Sequence, residues 1–268
     1  MNEFFSTLYF FKISMFNLML LSSLLGCLGC FVIWKGMSVV SDTLSHGAFS
    51  GLVIANILSL PIPIGAFSFS FITILLLNFI QKKFYQYKTL FLTIWTLVSV
   101  TIGSFLLTIY PSSKDFHEFF IGDILFSGFK ESLILLFILF FSYIFIFKFW
   151  VELKANMIDS DMSKIYFSNS GKIFTILLFI IGVSLSITLQ LMGILLSGLF
   201  LLIPPVISRF FVEKNPKKMM MFSVLISWLM SLIGWIISIY LDIPVSIGCG
   251  LSAIIFIIFT LIVKFLVR

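Results

Sequence analysis

Asp42 and His46 stand four residues apart in the run Ser41-Asp42-Thr43-Leu44-Ser45-His46-Gly47. At that spacing both side chains share one face of a helix. A carboxylate and an imidazole on one face suit a borderline transition metal such as zinc, and tolerate manganese or iron as well. The setting sharpens the point. Asp42 is the only one of the eleven acids well inside an apolar segment, and His46 is one of two histidines, the other being His117 in a polar stretch. An acid within a membrane segment costs on the order of 2.5–3.5 kcal/mol on insertion scales, and such a residue usually faces an interior or a water-filled path where it binds or carries something. The competing reading is a polar contact that glues helices together. Thr43, Ser45, Gly47, Ser50 and Gly51 are the small residues that close helix packing uses.

Other residues with chemical potential are weaker candidates. Cys27 and Cys30 have CxxC spacing, but they lie in an apolar run with no second pair, and Cys249 is isolated, so all three read as small packing residues. Asp115, His117 and Glu118 in the 111–130 stretch could attract a cation, although a solvated loop explains them as well, and Asp123 reads as a helix-start or loop residue. Pro204 and Pro205 remove helix hydrogen bonds and permit a bend, either a hinge or a plain helix end.

The elements that position these groups follow from composition. The 268 residues are 60% hydrophobic and only 10% charged, with mean hydropathy +1.20, whereas soluble domains carry about 25% charged residues. Apolar runs long enough to cross a bilayer recur along the chain, continuous rather than alternating. The expectation is an all-α polytopic membrane protein with a single transmembrane domain over 1–268 and eight or nine spans, near 13–34, 38–59, 62–80, 89–110, 131–149, 173–189, 193–208, 219–241 and 246–263. The 173–208 stretch is the least certain division, with only Gln190 and Gly193 to mark a turn. Met1 to Lys12 lacks the marks of a cleaved signal peptide and reads as a short interfacial helix leading into the first span. The net charge of +6 reflects membrane orientation; no long basic block suggests nucleic acid.

Orientation comes from lysine and arginine placement. With 81–88 cytoplasmic, fourteen of the seventeen basic residues fall inside, and the C-terminus is cytoplasmic. Lys35 then marks the inner interface. At about 1.5 Å per residue, Asp42 lies roughly 10 Å and His46 roughly 16 Å into a core about 30 Å thick.

The flanking residues resemble a family. Gly29-Cys30-Phe31-Val32-Ile33-Trp34-Lys35-Gly36-Met37, running into Asp42-Thr43-Leu44-Ser45-His46, looks like the ZnuB-type permeases of metal-ion ABC importers. The Gly193–Pro204 block with Arg209, the element Phe120-Ile121-Gly122-Asp123-Ile124-Leu125 and the turn Tyr240-Leu241-Asp242-Ile243-Pro244 resemble further family motifs, in order, over most of the chain. There are departures: Lys88 stands where an acid often precedes Thr89, Pro205 replaces an alanine, and Ser160-Asp161-Met162-Ser163-Lys164-Ile165-Tyr166-Phe167 replaces the usual Glu-Glu-x-Ala-x-x-x-Gly segment that touches the ATPase.

The resemblance implies a permease of the bacterial inner membrane, homodimeric, served by a cytoplasmic ATPase subunit and an extracytoplasmic metal-binding protein. Asp42 and His46 would hold the transported metal in transit, zinc foremost, with manganese or iron as alternatives, and no permanently bound cofactor. The chain has no Gly-x-x-x-x-Gly-Lys-Ser/Thr sequence, so ATP hydrolysis would fall to another polypeptide. In the 148–172 stretch, Lys154, Asp159, Asp161 and Lys164 are expected either to form a short amphipathic helix docking on that subunit or to sit in a solvated loop. Two other classes compete. A secondary cation transporter would favour internal repeats, and none is visible. An intramembrane metalloenzyme would need a fuller histidine site than one intramembrane histidine provides.

Overall fold

A computed structural model describes residues 2–83, 85–110, 120–122, 124–212 and 215–267. The described residues are helical throughout apart from turns. The long helices are α1 (Asn2–Trp34), α2 (Ser38–Ile57), α3 (Ile62–Lys83), α4 (Lys88–Ile109) and α5 (Phe129–Lys148), then α8 (Ser170–Phe211), α9 (Pro216–Leu241) and α10 (Val245–Val267). Two short helices, α6 (Trp150–Ile158) and α7 (Ser160–Tyr166), lie between α5 and α8. The all-α expectation is met. Asp115, His117, Glu118 and Asp123 lie outside the described residues.

Among the described residues, seven helices are both long and apolar enough to cross a membrane, short of the eight or nine expected from sequence. Two features account for the difference. The helix α2 has 20 residues, enough for a span, but its serines, Asp42 and His46 make it too polar to qualify. The helix α8 counts once although its 42 residues would extend about 63 Å if straight, twice the thickness of a hydrocarbon core. The expected interfacial helix before residue 13 is not a separate element: α1 runs unbroken from Asn2.

Local chemistry sets the ends. Gly36, at φ +64, makes the turn from α1 to α2. The Glu131 carboxylate accepts from the Gly128 N–H at 2.8 Å and opens α5. Asn215 caps α9 with Pro216 in its first turn, and Asp242 ends it in the left-handed conformation, two residues before Pro244.

The helices α1 and α8 form the centre, packed on each other. One flank carries α2, α3 and α4; the other carries α5, α9 and α10. Leu18, Leu21, Leu25 and Leu28 of α1 and Leu177, Leu185, Leu196 and Leu201 of α8 make much of this core. The outer helices show large apolar side chains such as Leu97, Phe137 and Phe259 on the protein's surface, as a bilayer-facing surface requires.

Candidate metal path

The helix α2 is enclosed on nearly every side. From Val40 to Val53 each residue is buried except two: Asp42 is exposed and His46 half-buried. The residues that could bind a metal are therefore the only part of this stretch left uncovered by the chain's own helices. No other helix engages either side chain through a hydrogen bond or ion pair among the described residues. Of the two settings the sequence argument offers an intramembrane acid, the interior or a water-filled path, the single protomer does not give the first: Asp42 points out of the fold. Among the described residues no three Cys, His, Asp or Glu side chains converge on a metal-sized site.

The remaining faces of α2 show what the small residues do. Gly51 meets Gly65 of α3 so closely that a Cβ on Gly51 would stand 2.3 Å from the Gly65 carbonyl oxygen. On α4, the Thr96 hydroxyl donates to Thr43 Oγ1 at 3.0 Å, and Ser99 pairs with Ser50 at 2.7 Å while donating to the Gly47 carbonyl. Gly198 of α8 lies against Ser45. The two readings of this segment, ion site and helix glue, apply to different faces of one helix. Sequence reasoning missed the α4 clasp, although Thr96, Ser99 and Gly103 follow the three–four spacing of a packing stripe. It also missed the Ser41 and Ser45 hydroxyls, which are buried beside the pair and have no hydrogen-bond partner among the described residues.

The helix α8 breaks at Gly193, whose φ of 76° and ψ of 178° fall in a region open essentially to glycine alone. The break lies where the sequence places a turn. Against it packs the Phe120–Gly122 backbone: a Cβ on Gly193 would be 2.3 Å from the Phe120 carbonyl oxygen, and one on Gly122 (φ +61) 2.3 Å from the Gly193 nitrogen. Two motifs some 70 residues apart in the chain thus meet, and Phe120 reaches Phe49 of α2 with ring centroids 5.4 Å apart. The bend falls at Gly193 and not at Pro204–Pro205, where helical backbone continues to Phe211. Pro205 still has a local effect. It has no N–H for the Leu201 carbonyl, and that carbonyl faces Gly29 of α1, where a Cβ would come within 1.9 Å.

The end of α1 nearest Asp42 is tied down by several helices. Lys35 Nζ donates to the Asn156 carbonyl at 2.5 Å and to its side-chain oxygen at 3.1 Å, and lies 5.4 Å from the Phe174 ring centroid. Burial pushes the Lys35 ammonium below the ordinary lysine pKa, helped by nearby Lys88. Asn156 continues the chain of contacts through its amide to Ser163 Oγ at 3.3 Å, and Ser163 pairs with Ser170 at 3.1 Å. Arg209 Nη1 donates to the Ile33 carbonyl at 3.3 Å, and Trp34 Nε1 to Met219 Sδ at 3.0 Å. The 148–172 stretch is helical, as one of its two readings expected, but in two pieces. The Asp159 carboxylate accepts from the Asp161 and Met162 N–H groups and caps α7, which holds its pKa below the usual aspartate range; Lys164 pairs with Asp161 at 2.9 Å. Ile158, Met162, Ile165 and Tyr166 are exposed. The three cysteines are free and buried.

The model of the ABC 3 transport family matches residues 8–267. The chain belongs to the ABC 3 transport family. Its curated relatives include the high-affinity zinc uptake system membrane protein ZnuB of Buchnera aphidicola subsp. Baizongia pistaciae, 31% identical over 235 residues, which are 85% of this chain and 87% of the relative. They also include the manganese transport system membrane protein MntC of Listeria innocua, 26% identical over 200 residues, 74% of this chain and 71% of the relative. Among solved structures, PsaBC from Streptococcus pneumoniae in complex with Fab shares the fold, with TM-score 0.83 and 21% identity, covering 97% of this chain and 94% of that one. The resemblance drawn from the motifs is borne out, and ABC 3 membership accounts for their order along the chain.

Proposed function

We propose that this protein is the membrane-spanning permease subunit of an ATP-driven importer that moves a divalent transition metal, zinc foremost, into the cytoplasm. The observation that carries the proposal is the uncovered Asp42–His46 face on an otherwise enclosed helix. Two copies facing each other would contribute two carboxylates and two imidazoles, the number and kind of donors that zinc accepts. Each copy alone holds a metal weakly. A site assembled between copies and dissolved when they move apart suits transit, because the ion must leave as well as enter.

The rest of the molecule fits this reading. With α2 as a crossing and α8 divided at Gly193, the chain crosses nine times, with the C-terminus and the α6–α7 pair in the cytoplasm. The exposed Ile158, Met162, Ile165 and Tyr166 give a separate ATPase subunit an apolar surface to dock on. An extracytoplasmic binding protein would deliver the metal at the opposite end. Zinc is placed first because the zinc uptake relative is 31% identical over 85% of this chain, while the manganese relatives are 30% identical over 37% of it or 26% over 74%; manganese and iron are the alternatives.

The test is uptake of radioactive zinc and manganese by cells carrying the complete importer with Asp42→Asn or His46→Ala. Each substitution should abolish uptake while the protein still inserts in the membrane at its normal level. Normal uptake of both metals by both variants would overturn the transit site.

A further inference from the structure

A groove of about 380 Å³ opens on the flank of α1 away from α2, between α5 and α9. Its volume is within the range of about 300–1,000 Å³ typical of small-molecule sites. Cys27, Tyr143 and Trp228 line it toward the middle of α1 and α9, and Phe147, Trp150 and Lys217 line its other end. Lys217 and Trp228 are separated by eleven residues of α9, or about 16 Å of helix. That is roughly half the hydrocarbon thickness, one leaflet.

The two ends differ in chemistry. The deep end is apolar, and its polar edge is satisfied: the Trp228 indole N–H donates to Ser23 Oγ at 2.6 Å. The other end is cationic. Lys217 Nζ sits 5.6 Å from the Trp150 ring centroid, exposed and without an acidic partner among the described residues. Lys148 at the end of α5 lies over Phe149 at 5.5 Å. Lys217 is in the first turn of α9, whose N-terminal dipole adds positive potential. Among the described residues no acid lines the groove.

The geometry points to a binding site for one anionic phospholipid of the inner leaflet, its acyl chain along α9 and its phosphate at Lys217. This rests on the orientation proposed above, which puts Lys217 at the cytoplasmic interface, where anionic headgroups meet basic pockets between helices. It does not involve the metal ligands, which lie on the other flank. A detergent or zwitterionic lipid could fill the apolar part, but only an anionic headgroup uses the lysine.

Native mass spectrometry of the purified full chain, titrated with dioleoylphosphatidylglycerol and dioleoylphosphatidylcholine, tests it. One phosphatidylglycerol should be retained per chain in preference to phosphatidylcholine. Lys217→Gln should weaken phosphatidylglycerol about fivefold and leave phosphatidylcholine unchanged. Lys264→Gln, whose lysine lies over Phe210 away from the groove, should change neither. Val224→Trp, which fills the groove, should weaken both lipids. Equal retention of the two lipids, or equal weakening by Lys217→Gln and Lys264→Gln, would overturn the site. So would efficient cross-linking of two copies through Leu225→Cys in native membranes, which would assign the groove to a second chain. Loss of selectivity with metal uptake still sensitive to Asp42→Asn would discard the lipid site alone.

Discussion

Lys35 joins the turn before α2 to the α6–α7 pair through two hydrogen bonds to Asn156. In an importer, movement imposed on α6–α7 by an ATPase would reach Asp42 through this contact, seven residues further along the chain. Lys35→Met is therefore expected to lower metal uptake about tenfold in proteoliposomes while ATP hydrolysis by the assembled importer continues; parallel loss of both activities would indicate simple misassembly. Asp159 gives a pH prediction. Its pKa is depressed because its carboxylate accepts the α7 amides. The cap is thus complete above the ordinary aspartate pKa of about 3.9 and is lost only as pH falls through the still lower folded value. Amide-exchange protection of Asp161 and Met162, normalised for intrinsic rate, should be flat from pH 8 to about 5 and should fall only in stronger acid. Asp42 and His46 were readable from the sequence because a charge in an apolar run is conspicuous. Lys35–Asn156 was not, since nothing local relates residues 121 positions apart, and the direction in which Asp42 points depends on which faces of α2 its neighbours cover.

At the scale of elements, two glycine contacts fix the path. The α2–α3 crossing at Gly51 and Gly65 leaves no room for a methyl group. Gly51→Ala should destabilise the protein by about 1–3 kcal/mol through overpacking, seen as a lower midpoint of thermal unfolding in detergent. Gly193→Ala combines a forbidden backbone conformation with a clash against Phe120. It should cost a similar ~1–3 kcal/mol and, unlike Gly51→Ala, expose the Phe120–Gly122 segment to protease. The span limits were legible to within a few residues because long apolar runs and their charged ends are set by the bilayer. The bend at Gly193 was the least legible division, marked only by Gln190 and Gly193, because no charge lies between Lys172 and Arg209 to divide α8. It was not legible that Pro204 and Pro205 stay helical, because that depends on α1 packing Gly29 against the carbonyl Pro205 frees.

For the whole molecule, the asymmetry between the flanks of the α1–α8 centre carries the functional argument. The α2 flank exposes Asp42 and His46, the proposed metal ligands, and the α5–α9 flank exposes apolar surface and a basic groove. If two copies share one path, a tandem fusion with Asp42→Asn in one half should transport well below half the zinc of the unmodified fusion. A residual rate of one half would mean that each copy conducts alone. Labelling should find positions 215–218 reactive from the cytoplasmic side only. The sequence told that the chain is helical throughout and where most of its long apolar helices fall, while helix partners and the covered faces emerged only from the packed chain.

The polarity of α2 has a consequence for biogenesis. Among the described residues, the helix that carries Asp42 and His46 is the one long helix too hydrophilic to form a span by itself. Insertion machinery that partitions each segment by its own free energy would release it poorly into lipid. Its integration must wait for α3 and α4, whose Gly65, Thr96 and Ser99 cover its polar faces. In nascent chains truncated after α2, cysteines placed in α2 should therefore stay open to aqueous labelling although α1 anchors the chain, and in chains extended through α4 they should be protected.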